Sequence, residues 1–235
     1  MSFTTPEFAR SGPTSPGRGR GSLIALVLAV IVLVVGVIAT VVVVATGSDG
    51  GSDELKPPPQ DMAVPTQITW QVVARAELPF SAEAGPRELD GVAARGFAHS
   101  ETGAVIAAWQ IAMRLSVLSG TDDIYATQVI GSRETVDGFR LSVADLQASL
   151  EPDQQLPRVL AWKPARPYSK YAASFDYAVP TDENDTVNVI RFSVVWTDGD
   201  WKLQPGLYGD GPDDGLERDE ISTAQGWHFF DGELQ

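Results

Sequence analysis

Residues 171–203 read YAASFDYAVPTDENDTVNVIRFSVVWTDGDWKL. Tyr171, Ala173, Phe175, Tyr177 and Val179 alternate with Ser174 and Asp176. Beyond a turn at Thr181 to Asp185, Ile190, Phe192, Val194 and Trp196 alternate with Asn188, Arg191 and Ser193. A period of two marks strands with one face buried. Asp198-Gly199 is a strong two-residue hairpin signal, because both positions of the favoured turn take positive φ. With the turn there, Trp196 falls opposite Trp201 and Val194 opposite Leu203, on the face that carries Ile190 and Phe192. Turn and alternation specify one register, which is the mark of a real hairpin.

Upstream, the pattern becomes helical. Ser100 or Thr102 can cap a helix over 103–118, with Gly120 beyond its end. Only Gly103, Ala107, Gln110 and Arg114 form a polar stripe on it. Val105, Ile106, Trp109, Ala112, Met113 and Leu115 cover the remainder, so a sheet is expected to wrap this helix. Thr121 can cap a short second helix whose first turn carries Asp122 and Asp123, favoured there by the helix dipole, and Gly131 ends it. Ser142 and Asp145 resemble a capping box ahead of Val143, Leu146 and Leu150, with Pro152 as the stop. Further back, Ile68 to Leu78 alternates as one half-buried strand. A stretch punctuated by Gly and Pro follows it, from Gly85-Pro86-Arg87 to Gly96-Phe97-Ala98-His99.

Leu23 to Ala45 is charge-free and almost wholly aliphatic. As a helix, such a run spans roughly 35 Å, enough for a hydrocarbon core of about 30 Å. A cleaved signal would need a shorter apolar region and a small-x-small site, and Val43-Val44-Ala45 is a poor one. Arg10, Arg18 and Arg20 precede the run, while Asp49, Asp53 and Glu54 follow it. By the positive-inside rule the N-terminus is cytoplasmic and the C-terminal domain extracellular. The expected organisation is a disordered tail (1–22), a transmembrane helix (23–45) and a Gly/Pro-rich linker (46–66). An extracytoplasmic α+β domain (67–205) and an acidic tail ending in aromatics (206–235) complete it.

The chain of 235 residues has a formal charge of −14 and no cysteine. The part before the apolar run carries a net +2 and the part after it −16. An acidic ectodomain lacks the basic footprint that nucleic acid requires. Without cysteine there is no disulfide, thiolate nucleophile or thiolate metal site. His99 and His228 are the only histidines. His99 reads as a turn residue bonded to backbone, with a base at a pocket mouth as the alternative. Asp176 is a lone acid on a polar face, without a partner for acid–base work. Asp210, Asp213, Asp214, Glu217, Asp219 and Glu220 fail as a calcium loop, since position three is Pro212 and position twelve Ile221. They read as a solvated acidic loop. Asn184-Asp185-Thr186 fits a glycosylation acceptor but is explained by a turn. Trp70, Trp109, Trp162, Trp196 and Trp201 read as core, with a pocket lining as the alternative. Trp227, Phe229 and Phe230 are expected to dock on the domain. No catalytic residue, cofactor or metal ligand is assigned.

Helices followed by long antiparallel strands, closing on the hairpin of Trp196 and Asp198 to Leu203, resemble the cone-shaped domain of the nuclear-transport-factor-2-like superfamily. The resemblance covers roughly Ile68 to Leu203 and implies a curved antiparallel sheet around a long helix. The strand at Ile68 precedes the first long helix, so a variant topology is expected. Among anchored examples, the chain resembles the bitopic assembly components of Gram-positive conjugation and type IV secretion systems. Gly85-Pro86-Arg87, Gly96-Phe97-Ala98-His99 and Thr102-Gly103-Ala104 are similar to segments of actinobacterial membrane proteins. These resemblances imply a non-catalytic interaction module, with the bilayer (through 23–45) and envelope proteins or a second copy as partners. A small-ligand or isomerase-type pocket between helix and sheet is the alternative.

Overall fold

The computed structural model describes residues 67–151, 153–181, 185–207 and 215–231. The expected tail, transmembrane helix and linker, together with Pro152, Asn184, Asp210, Asp213 and Asp214, lie outside them. Among the described residues no helix is long and apolar enough to cross a membrane.

Among the described residues the fold is α+β, with three α-helices and a large curved antiparallel sheet. Strands β1 (Ile68–Val73) and β2 (Ala76–Ser81) form one hairpin, and β3 (Glu88–Asp90) and β4 (Ala93–Arg95) a second. Helices α1 (Glu101–Val117), α2 (Asp122–Gln128) and α3 (Arg133–Ser149) follow. The main sheet comprises β5 (Ala161–Pro164), β6 (Ala172–Pro180), β7 (Thr186–Thr197), β8 (Asp200–Leu203), β9 (Leu216–Glu217) and β10 (His228–Phe229). Its order is β10-β5-β6-β7-β8, and β9 pairs with the start of β7.

The last hairpin has the register its turn specifies: Trp196 lies opposite Trp201 and Val194 opposite Leu203. Asp198 and Gly199 take φ of 53° and 81°, the pair of positive values this turn demands. Along β7 the inward positions Ile190, Phe192 and Val194 are buried, and Trp201 and Leu203 extend that layer on β8.

Helix α1 is buried along 14 of its 17 residues. Ser100 caps it, accepting from the Gly103 amide at 3.1 Å. Gly103 is required by close approach, since a Cβ there would lie 2.0 Å from the Ala98 carbonyl oxygen. The polar stripe of Gly103, Ala107, Gln110 and Arg114 is buried with the rest of the helix. Gln110 donates to Pro79 O at 2.8 Å, and Arg114 donates to Gln110 at 3.0 Å and to Val92 O at 3.1 Å. These bonds tie both N-terminal hairpins to the helix, and burial lowers the Arg114 pKa from its ordinary value.

Two expectations are corrected. Residues 68–78 are not one strand: the chain reverses at Ala74-Arg75, with Val73 opposite Ala76. The reversal moves Ala76 and Leu78 to the face opposite Ile68, Trp70 and Val72, so Leu78 is 0% exposed and Val72 68%. Helix α3 starts at Arg133, where Ser132 accepts from the Thr135 amide at 3.1 Å. Ser142 is therefore mid-helix, and its hydroxyl donates to Gly138 O at 2.9 Å.

Strand β6 is buried on both faces. On the outer face Ala161, Ala178, Val187 and Val189 form a second apolar cluster with Ile221, Trp227 and Phe229. Phe230 joins the main core. Residues 215–231 are thus a strap across the back of the sheet.

Candidate functional site

Where β4 ends, α2 and the β7–β8 turn leave a polar cleft of about 510 Å³. Its principal polar groups are Glu88, Arg95, Thr127, Gln128, Asp200 and Lys202. Arg95 Nη2 donates to Asp123 Oδ2 at 2.7 Å and to Thr127 Oγ1 at 2.9 Å, which joins β4 to α2. Asp200 accepts from the amides of Gly96 (2.8 Å), Phe97 (3.0 Å) and Trp201 (2.9 Å). Its carboxylate thereby fastens the hairpin to the segment ahead of α1. Lys202 pairs with Asp198 at the turn. Gln128 is buried and donates to Ala94 O at 2.7 Å, while its Oε1 finds no partner. Arg95 and Lys202 are thus ion-paired and Asp200 is held by three amides, while Glu88 is exposed on β3.

The sequence assigns none of the cleft's polar residues a functional role; Asp198, Asp200 and Lys202 enter only as parts of the hairpin. Asp200 is 103 and 104 positions from its amide partners Phe97 and Gly96, so no local spacing announces it.

The sequence-selected residues lie elsewhere. His99 is exposed in the turn before α1, where Nε2–H donates to Lys170 O at 2.5 Å. Its ring stacks on Trp196 at 3.9 Å between centroids. His228, on β10, stacks on Trp162 at 4.6 Å, and burial lowers its pKa.

Asp176 is neither exposed nor alone. Arg191, directly opposite on β7, donates to its two oxygens at 2.7 and 3.0 Å. Next along the ladder, the Ser193 hydroxyl donates to Ser174 at 3.0 Å. Lys163 lies opposite Asp176 on β5 and reaches over the Trp227 ring, 4.6 Å from its centroid.

Of the tryptophans, Trp109, Trp162 and Trp201 are fully buried, while Trp70 and Trp196 are partly so. Trp109 packs against Tyr177 at 5.0 Å and Phe192 at 6.0 Å. Side chains therefore fill the space between α1 and the sheet at that point. Burial pushes the Tyr177 hydroxyl well above its ordinary pKa, and it donates to Val105 O at 2.7 Å. Glu101 Oε1 is buried without a hydrogen-bond partner, and burial raises that carboxyl's pKa. Among the described residues no group of three His, Asp or Glu is placed to hold a metal ion.

A family model described as a domain of unknown function (DUF8175) matches residues 39–228. No curated protein matches the chain. No solved structure matches it either.

Proposed function

The chain belongs to the DUF8175 family, and we propose that it is a non-catalytic interaction module held outside the membrane by a single N-terminal span. In this reading residues 23–45 cross the bilayer, 46–66 space the domain from its surface, and the folded unit assembles with itself or with other envelope proteins. An accessory role in a conjugation or secretion apparatus follows from the resemblance of the helix–strand order to such components.

The carrying observation is the charge-free run from Leu23 to Ala45, flanked by arginines before it and carboxylates after it. A helix–sheet interface occupied by Trp109, Tyr177 and Phe192 favours this reading over a ligand pocket at that place. In the polar cleft, Arg95 and Lys202 engaged in ion pairs and Asp200 engaged by amides favour recognition over turnover.

Gentle detergent extraction of the full chain, followed by light scattering, tests the reading. A complex larger than one chain is expected. A strictly monomeric protein that turns over a small molecule would contradict it.

A further inference from the structure

Among the described residues strand β1 is a sheet edge with one side unpaired. In a two-residue hairpin the residues flanking the turn form a hydrogen-bonded pair, so Val73/Ala76, Gln71/Leu78 and Thr69/Phe80 are the bonded pairs between β1 and β2. The pairs between them leave the N–H and C=O of Ile68, Trp70 and Val72 directed outward. Pro79 opposite Trp70 fits this pattern, since a residue without an N–H belongs at a non-bonded position. Among the described residues nothing pairs with those outward groups.

Natural edges are usually blocked by charge, proline or a cover. Strand β3 carries Glu88 and Asp90, and β8 carries Lys202 while Leu203 O accepts from the Ile130 amide. Strand β1 has none of these devices: its sequence ITWQVV is uncharged and rich in residues favoured in strands.

We propose that this edge pairs antiparallel with β1 of a second copy, with Trp70 on the two-fold axis. Ile68 then lies opposite Val72 of the other chain, and all three outward residues enter bonded pairs. The partner is a second copy for two reasons. Surfaces of a chain with net charge −14 repel one another, and β1 offers an uncharged strip along which two copies can meet. The register is also self-complementary, as an isologous interface requires. It brings Val72, 68% exposed, under cover. Trp70 is braced to receive the contact: Phe230 lies edge-on at 5.7 Å, Arg158 covers the ring at 4.8 Å, and Asp231 accepts from Nε1 at 2.6 Å. The pairing deepens the assembly reading and rests on it for the existence of a self-complex. The proposed anchor would raise the local concentration of β1.

The chain has no cysteine, so introduced ones report alone. Ile68→Cys and Val72→Cys are placed on differently tagged full-length chains, co-expressed and oxidised in the membrane fraction. The register puts these Cα atoms about 5.5 Å apart, within disulfide range, and two copies of Val72→Cys about 14 Å apart. A dimer carrying both tags, at least about tenfold more abundant than from either variant alone, is the expected result. Val72→Pro removes an outward N–H without touching the β1–β2 bonds and is expected to abolish the dimer in light scattering. Val72→Lys is expected to do the same with the ladder intact. Equal yields from the single variants, no disulfide in the mixture, or a dimer that survives both Val72 substitutions would overturn the pairing. Fractionation of the same cells reports the anchor separately: a register-specific disulfide in chains that leave the membrane would sink the anchor and retain the edge.

Discussion

Asp176 and Arg191 show what one side chain contributes here. The carboxylate is 5% exposed and the guanidinium 22%, joined by two hydrogen bonds across neighbouring strands. Removing Asp176 takes two charge-assisted hydrogen bonds from Arg191 in a largely buried setting. Asp176→Ala is expected to cost about 3 kcal/mol in urea denaturation, whereas replacing both with Leu and Met is expected to cost far less. Equal losses from the single and double variants would show that the pair adds nothing beyond its packing. The pair was partly latent in the sequence, because the alternation of 171–196 puts both residues among the polar positions of their strands. It went unread because the residues between the two strands gave no turn of fixed length, unlike Asp198-Gly199. The partners of the polar stripe on α1 are illegible for a related reason. Arg114 and Gln110 look solvated on a helical projection, yet their partners, Val92 O and Pro79 O, are backbone atoms of distant hairpins.

Among the elements, the β7–β8 hairpin and α1 were legible because turn, period and burial agree. The β1–β2 reversal was not, because Ala74 supplies a positive φ of 53° without the glycine or asparagine that usually marks it. Helix α3 was read too short. Its first turns carry Arg133, Glu134, Asp137 and Gly138, which hide the period, while Ser142 and Asp145 imitate a cap. The strap of residues 215–231 is the element whose weight is least visible in sequence. A Gly/Asp-rich approach suggests an appendage, yet Trp227 is 1% exposed against the back of the sheet. Trp227→Ala is expected to lower domain stability by about 3–5 kcal/mol, read as a fall in the urea midpoint. An unchanged midpoint would return the strap to the status of a loose tail.

For the whole molecule, the described residues form a domain whose first strand directly follows the segment proposed as spacer. Its last described residue, Asp231, hydrogen-bonds Trp70 on that strand. The two ends of the described chain therefore meet at β1, where the proposed tether enters. The polar cleft is built from β4, α2 and the β7–β8 turn. The site itself was illegible in sequence, because the contacts that join the end of β4 to α2 and to the β7–β8 hairpin link residues 28 to 104 positions apart along the chain. The proposed function depends on the compartment of the domain, and cysteine labelling reads that directly. Leu89, 57% exposed on β3, is changed to Cys in the full chain, and Ser11→Cys is made in the N-terminal tail. With a membrane-impermeant maleimide on intact cells, the position 89 variant is predicted to label and the position 11 variant to label only after lysis. Labelling of position 11 with position 89 protected would place the domain in the cytoplasm and contradict the account.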